Sequence, residues 1–197
     1  MKTRLLRADA PGAVTEAAKA LTRGEVVAFP TDTVYGVAAV RGREEALFVA
    51  KGRPEDRPIP VLLSDASQLE TSGIVTPSAR ALAARFWPGP LTIVVAVPGR
   101  GTVGFRVPAS DLARRLIAAS GGELPVTSAN LSGRPDARTA EEVIAQLDGR
   151  IALVLDGGRT PGGVPSTVVD CTGPEARILR EGAISAREIR AAIQSAA

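Results

Sequence analysis

Two apolar segments separated by a very short turn constrain the fold of this chain more than any other feature. Residues 91–97 and 103–107 have the aliphatic, β-branched composition of strands, and Pro98-Gly99 between them is typical of a tight turn. Parallel strands need a crossover of a dozen or more residues, so these two strands must pair antiparallel. A sheet that contains them cannot be purely parallel.

Helical and strand-like patterns alternate through the rest of the chain. Residues 13–23 and 77–86 have the apolar spacing of helices, and residues 26–29 and 61–63 are typical of buried strands. We expect roughly eight short strands interleaved with five helices in one domain, residues 1–197. The predicted fold class is therefore α/β, with a mixed β-sheet. Aromatic residues make up only 3% of the sequence, so aliphatic side chains and alanine must form the core.

The composition excludes several classes of chemistry. Histidine is absent, which removes Ser-His-Asp and Cys-His nucleophile pairs and histidine-based metal sites. Cys171 is the single cysteine, so no internal disulfide forms, and its apolar surroundings predict a buried structural thiol. The net charge of +3 does not by itself indicate nucleic-acid binding. No apolar run suits a membrane span or a signal peptide, so we expect a cytoplasmic protein.

A short basic segment, Lys51-Gly52-Arg53-Pro54 with Arg57 close behind, lies at the predicted end of a helix. One interpretation is a helix C-terminus, where cations favour the negative end of the dipole and Gly52 supplies a left-handed cap. The other is a clamp for a polyanion, in which lysine offers a point charge and arginine a bidentate fork suited to a triphosphate. The residues alone leave both interpretations open.

Three segments rich in hydroxyl side chains lie at or near strand ends, where α/β proteins commonly bind ligands. They are PTDTVYG (30–36), TSANLSG (127–133) and GGVPST (162–167). Each one alone is more typical of a tight turn than of a site. Arg106 interrupts an apolar strand; it either lies on a solvated face or, if buried, needs an anionic partner.

Taken together and in this order, seven segments resemble the YrdC-like threonylcarbamoyl-AMP synthase family. They are FPTDTVYGVAA (29–39), KGRP (51–54), FWPGPLTIVV (86–95), VGFRVPA (103–109), TSANLSG (127–133), VPSTVVD (164–170) and ILREGAIS (178–185). They span nearly the whole chain, and seven matches in the right order make the resemblance specific. It implies a twisted α/β sheet with flanking helices, curved around a deep basic cavity.

The resemblance also implies an enzyme, a nucleotidyltransferase. L-Threonine, bicarbonate and ATP would give threonylcarbamoyl-AMP and pyrophosphate, and Mg²⁺ would enter with ATP, held mainly by the phosphates rather than by a protein metal site. The product would pass to a tRNA threonylcarbamoyl-transferase complex, and a weak contact with RNA is a further expectation. Such a reaction needs alignment and charge stabilisation more than acid–base catalysis, which suits a chain without histidine.

By similarity, roles fall on the residues that match the family's motifs. Lys51 and Arg53 would be the catalytic residues, with Arg53 on the ATP phosphates and Lys51 adding charge. The expected ATP contacts are Arg53, Arg57, Thr102, Ser128, Asn130, Arg138 and Arg180. The expected threonine contacts are Thr33, Leu62, Arg106 and Ser166, and Arg106 would pair with the threonine carboxylate.

Two positions depart from the family pattern and keep alternatives open. Arg57 places a cation where the family often has an amide, and Leu62 places an apolar side chain where it often has histidine. The contact of Leu62 with an amino acid could only be apolar. One alternative function is an RNA-binding module with a basic concave face, although the few aromatic residues form no stacking platform. The other is a ligand-binding domain that has lost catalysis.

Overall fold

The computed structural model describes residues 2–52, 54 and 58–194, and this part of the chain contains ten strands and seven α-helices. The strands are β1 (Arg4–Arg7), β2 (Val27–Pro30), β3 (Tyr35–Ala38), β4 (Val61–Leu63), β5 (Leu91–Val97), β6 (Gly101–Arg106), β7 (Glu123–Ser128), β8 (Leu153–Asp156), β9 (Thr167–Asp170) and β10 (Arg177–Arg180). The helices are α1 (Ala13–Thr22), α2 (Glu45–Lys51), α3 (Leu69–Ser72), α4 (Pro77–Phe86), α5 (Asp111–Ala119), α6 (Ala140–Leu147) and α7 (Ala186–Gln194), with a 3₁₀ turn at Ala66–Gln68. None of these helices has the length and apolar composition that crossing a membrane requires.

The ten strands join one mixed sheet in the order β1-β8-β2-β3-β7-β4-β6-β5-β9-β10. β5 and β6 form the antiparallel hairpin that the short Pro98-Gly99 turn predicts, with Ile93 opposite Phe105. Four neighbouring pairs are parallel, namely β1–β8, β2–β8, β4–β6 and β5–β9. The prediction of an α/β fold with a mixed sheet and flanking helices is confirmed.

Two of the strands, β1 and β3, were not predicted from the sequence. β1 lies at the edge of the sheet and three of its four residues are exposed, so RLLR has no apolar alternation to reveal it. β3 is buried throughout but contains Gly36, a residue that disfavours strands. A Cβ atom on Gly36 would lie 2.7 Å from Val126 Cγ1, so glycine is needed where β3 packs against β7.

Helices cover both faces of the half of the sheet that contains β2 and β8. Val27 and Phe29 of β2 pack in the core formed with α1 and α5, whereas Ala28 packs in the core formed with α2 and α6. Leu153 and Val154 of β8 divide between the same two cores. Successive side chains of a strand point to opposite faces, so short continuous apolar runs are buried on both sides here.

The other half of the sheet is covered by helices on one face, where α4 and α7 pack. Ile93 of β5 and Phe105 of β6 contact this core together with Leu82 of α4 and Ile189 of α7. The intervening residues of β5 and β6 must point to the opposite face of the sheet. That face is the one available for a cavity.

Cys171 directly follows β9 and is fully buried in this second core. Burial raises the pKa of its thiol to about 12, so the thiol stays protonated at neutral pH. The predicted role as a buried structural thiol agrees with this environment.

We predict that Ile93→Ala lowers the free energy of unfolding by about 2–5 kcal/mol, because Ile93 is completely buried beneath α4 and α7 and the change leaves a cavity. Urea denaturation followed by circular dichroism measures the difference. The control is Val49→Ala, at a side chain that is 71% exposed, where we expect a change within about 0.5 kcal/mol. Equal effects of the two substitutions would contradict the assigned packing.

Candidate functional site

A cavity of about 410 Å³ lies on the face of β5 and β6 that turns away from α4 and α7. Thr92 and Val94 of β5 and Gly104 and Arg106 of β6 line it, because these residues alternate with the core residues of the same strands. The volume falls within the range of small-molecule sites.

Seven of the residues predicted to form the site line this cavity. They are Thr33, Leu62, Thr102, Arg106, Ser128, Ser166 and Arg180. Those expected to contact threonine are between 2% and 7% exposed, and we call the part of the cavity around Thr33, Leu62, Arg106 and Ser166 its buried end. Ser128 is half-buried and Thr102 and Arg180 are exposed; the part around these three residues is called the open end.

Arg106 is the most constrained side chain of the buried end. Its Nε donates a hydrogen bond to the carbonyl oxygen of Gly89 (3.0 Å), Nη1 to Thr33 Oγ1 (3.1 Å) and Nη2 to Asp32 Oδ1 (2.7 Å). Burial lowers the pKa of the guanidinium and the attraction of Asp32 opposes that shift. The anionic partner that a buried arginine needs is therefore Asp32, and pairing of Arg106 with a threonine carboxylate stays a prediction.

Ser166 connects the buried and open ends. Its Oγ lies 2.9 Å from Thr92 Oγ1, and its carbonyl oxygen accepts hydrogen bonds from Arg180 Nη2 (2.8 Å) and Nε (3.2 Å). These bonds hold the exposed Arg180 guanidinium of β10 against the start of β9. A ligand that enters at Arg180 would therefore meet hydroxyl groups on its way inward.

A glycine loop fixes the segment that carries Asp32 and Thr33. Gly163 N–H donates to the carbonyl oxygen of Thr33 (2.6 Å). A Cβ atom on Gly162 would lie 2.6 Å from the carbonyl oxygen of Asp32 and 3.0 Å from Thr33 Cα. Because both neighbours are backbone atoms, only glycine permits this approach.

Lys51 does not line the cavity, although it was predicted to be catalytic. Its Nζ donates to the carbonyl oxygens of Ser128 and Asn130 (2.6 Å to Asn130) and to Asn130 Oδ1 (3.2 Å), and the residue is 2% exposed. Gly52 adopts the predicted left-handed conformation at the end of α2, with φ of 57°. Lys51 thus ties the end of α2 to the segment after β7, and a contact with ATP phosphates stays a prediction.

Asn130 and Arg138 also lie outside the cavity lining. Asn130 Nδ2 donates to the carbonyl oxygens of Leu131 (3.0 Å) and Arg134 (2.7 Å) and so orders its own turn. Arg138 Nη2 donates to the carbonyl oxygen of Gly162 (3.2 Å), while Arg138 Nε is buried without a hydrogen-bond partner among the described residues. Both side chains shape loops beside the cavity, and their contacts with a nucleotide stay predictions.

The described residues include only some of the charged side chains predicted for the cavity. Arg53 and Arg57, both predicted to bind ATP, lie outside the described residues. In the part of the chain that the structure describes, the lining contains two cations, Arg106 and Arg180, and one carboxylate, Asp136. The basic character of the cavity therefore stays a prediction. The same part of the chain contains no cluster of three or more acidic, cysteine or histidine residues that could hold a metal ion.

Sequence reasoning missed Thr92, Asp32 and Asp136. Thr92 is a polar residue in an apolar strand, in phase with Val94, and strand alternation was a signal that could have identified it. Asp32 and Asp136 lie between regular elements, where no periodicity fixes the direction of a side chain. Their positions beside Arg106 and in the lining depend on how distant segments pack.

Known proteins resemble this chain over most of its length. The Sua5/YciO/YrdC family model, described as telomere recombination, matches residues 19–182. A threonylcarbamoyl-AMP synthase of Bacillus subtilis is 43% identical over 194 residues, which cover 91% of this chain and 56% of that protein. A threonylcarbamoyl-AMP synthase of Vibrio vulnificus is 34% identical over 179 residues, covering 83% of this chain and 95% of that protein.

The fold has a solved counterpart in P. abyssi Sua5 complexed with L-threonine. The TM-score is 0.89 at 36% sequence identity, with 98% of this chain and 61% of that one covered. This chain therefore spans little more than half the length of the Bacillus subtilis and P. abyssi proteins.

We predict that Gly162→Ala lowers the free energy of unfolding by about 1–3 kcal/mol, because the added Cβ must push back the backbone of Asp32 and Thr33. The matched control is Gly173→Ala, where the nearest atom would be 3.9 Å from the new Cβ. There we expect no loss, since alanine restricts the unfolded chain. Thermal and urea unfolding of both variants test this, and equal stability of the two would refute the proposed close approach.

Proposed function

Because the chain belongs to the Sua5/YciO/YrdC family, we propose that it is a threonylcarbamoyl-AMP synthase. Its reaction joins L-threonine, bicarbonate and ATP into threonylcarbamoyl-AMP and releases pyrophosphate. The observation that carries this proposal is the likeness to P. abyssi Sua5 complexed with L-threonine, at 36% identity over 98% of this chain. The relatives named threonylcarbamoyl-AMP synthase support the same activity.

In this proposal, threonine binds at the buried end of the cavity. The side chains of Thr33, Leu62, Arg106 and Ser166 are all buried, which suits a small ligand that must be shielded from water. Arg106 uses three of its five N–H groups on partners within the described residues, so two stay available for a carboxylate. Leu62 offers an apolar surface to the methyl group of the substrate.

ATP binds at the open end, beside Thr102, Ser128 and Arg180. Arg53 and Arg57 contribute positive charge to the triphosphate, as the family resemblance implies. Mg²⁺ would enter with ATP and would neutralise charge on the phosphates. Because Asp136 is the one carboxylate of the described lining, phosphate and water oxygens would supply most of the ligands of the ion.

The chemistry requires two ligands to be held side by side. The amine of threonine and bicarbonate form a carbamate with loss of water, a carbamate oxygen attacks the α-phosphorus of ATP, and pyrophosphate leaves. The residues contribute alignment, exclusion of water and cations that offset the charge of the phosphates. Lys51 acts by holding Ser128 at the cavity wall through the hydrogen bonds of its ammonium group.

The product is an activated acyl phosphate, which must be consumed by transfer to a nucleophile. A tRNA threonylcarbamoyl-transferase complex is the downstream partner that the resemblance implies. A weak contact of this chain with RNA and a cytoplasmic location stay predictions from the sequence.

We predict that the protein converts ATP to pyrophosphate only when threonine and bicarbonate are both present, because the carbamate is the nucleophile. The measurement is pyrophosphate release combined with detection of the product by mass, with threonine, serine or no amino acid. A mixture without bicarbonate is the control. ATP turnover that is indifferent to threonine would rule out the proposed reaction.

We also predict that Arg53→Ala reduces turnover about 100-fold or more, because a cation that stabilises the phosphates is lost, while the melting temperature stays nearly unchanged. The control is Arg187→Ala, which removes an exposed arginine of α7 that does not line the cavity. Steady-state kinetics and thermal melts of both variants decide the outcome. A large loss of stability in Arg53→Ala would favour the helix-end interpretation of this segment.

A further inference from the structure

The pair of Asp32 and Arg106 does more than neutralise a buried charge. The side chains are 11% and 7% exposed and their charged atoms lie 2.7 Å apart. Arg106 and Thr33 line the cavity, whereas Asp32 is not part of the lining and accepts a hydrogen bond from Arg106. We propose that Asp32 is a positioning and specificity-determining residue, which orients Arg106 and makes the buried end select a zwitterionic amino acid over a simple carboxylate. This inference rests on the proposed function, since it takes threonine as the ligand of Arg106.

The positioning role follows from the three directions in which Arg106 is held. Gly89 precedes β5, Thr33 and Asp32 follow β2, and each accepts from a different nitrogen of the guanidinium. Arginine otherwise has a long, flexible side chain that loses considerable rotamer entropy on binding. Partners on two separate segments fix the plane of the guanidinium before any ligand arrives. The two N–H groups without a described partner are then presented in one orientation.

The selectivity follows from the negative charge of Asp32, which contacts Arg106. A ligand carboxylate that accepts from the same guanidinium lies within about 4–6 Å of the Asp32 carboxylate, a distance at which like charges repel appreciably. In an α-amino acid, the ammonium group is one carbon away from the carboxylate, and its attraction to Asp32 offsets the repulsion. A carboxylate without that ammonium group has no such compensation.

The charge of Arg180 makes the negative charge of Asp32 important for the cavity. It lies near enough to Arg106 for its positive charge to lower the pKa of Arg106, whereas Asp32 raises it. Without Asp32, two guanidinium groups would face the same small cavity and would attract any small anion. With Asp32 present, the charges of Asp32 and Arg106 at the buried end cancel, which suits a ligand whose own charges balance.

The experiment is a calorimetric titration of the full chain with L-threonine and with 2,3-dihydroxybutanoate, which replaces the amine by a hydroxyl group. We expect the wild-type protein to bind threonine about tenfold or more tightly than the hydroxy acid. Asp32→Asn keeps an acceptor for Arg106 but removes the charge, and should reduce this preference about tenfold or more. Glu70→Gln is the control, because it removes one carboxylate from an exposed ion pair with Arg80 and should leave the preference unchanged.

Two outcomes would overturn the inference: a preference that is unchanged in Asp32→Asn, or a wild-type protein that binds both ligands equally. The second comparison needs no variant, so it can overturn the inference even if Asp32→Asn fails to fold. Thr33→Val removes a neutral partner of Arg106 and should weaken the binding of both ligands by a similar factor. A change in affinity without a change in preference therefore distinguishes loss of positioning from loss of the Asp32 charge. Failure of the wild-type protein to bind threonine at all would instead contradict the proposed function.

Discussion

The burial of one guanidinium group is the constraint around which the cavity is organised. Arg106 lies on a central strand of the sheet with almost no access to water, and a charge there is costly unless it is paired and hydrogen-bonded. Its partners come from the segment before β5 and from the loop after β2. Gly162 packs closely against the backbone of that loop, and Gly163 donates a hydrogen bond to it. Distant parts of the chain thus converge on a single side chain.

The alternation of side chains along β5 and β6 explains why the cavity exists at this place. Ile93 and Phe105 pack in the hydrophobic core beneath α4 and α7. Because successive side chains of a strand point to opposite faces, their neighbours Thr92 and Arg106 lie on the other face and line the cavity. In the half of the sheet around β2 and β8, helices cover both faces, and these two strands are apolar except for Asp156 at the end of β8. The site therefore lies on the sheet face where polar residues interrupt otherwise apolar strands.

The residues of the short motifs divide into two roles in the folded molecule, since some shape the wall of the cavity and others line it. Lys51 and Asn130 bond to each other and to the backbone, and so they shape the wall of the cavity. Ser128, in the same network, also lines the cavity. Burial divides the lining further, since the residues assigned to threonine are buried and Arg180, assigned to ATP, is exposed. This difference in burial suits a small substrate at the buried end and a larger substrate at the open end.

The sequence by itself determined the fold class, the hairpin at Pro98-Gly99 and seven of the residues that line the cavity. Apolar periodicity and turn chemistry are properties of short segments, and the order of the motifs can be read directly along the chain. It missed β1 and β3, where an exposed edge and Gly36 remove the local pattern. Only the tertiary structure decided that Lys51 faces the polypeptide and that Asp32 is the partner of Arg106. Asp32 and Arg106 are 74 residues apart, and a contact between them depends on strand order and loop packing. No local sequence pattern predicts a contact across that separation.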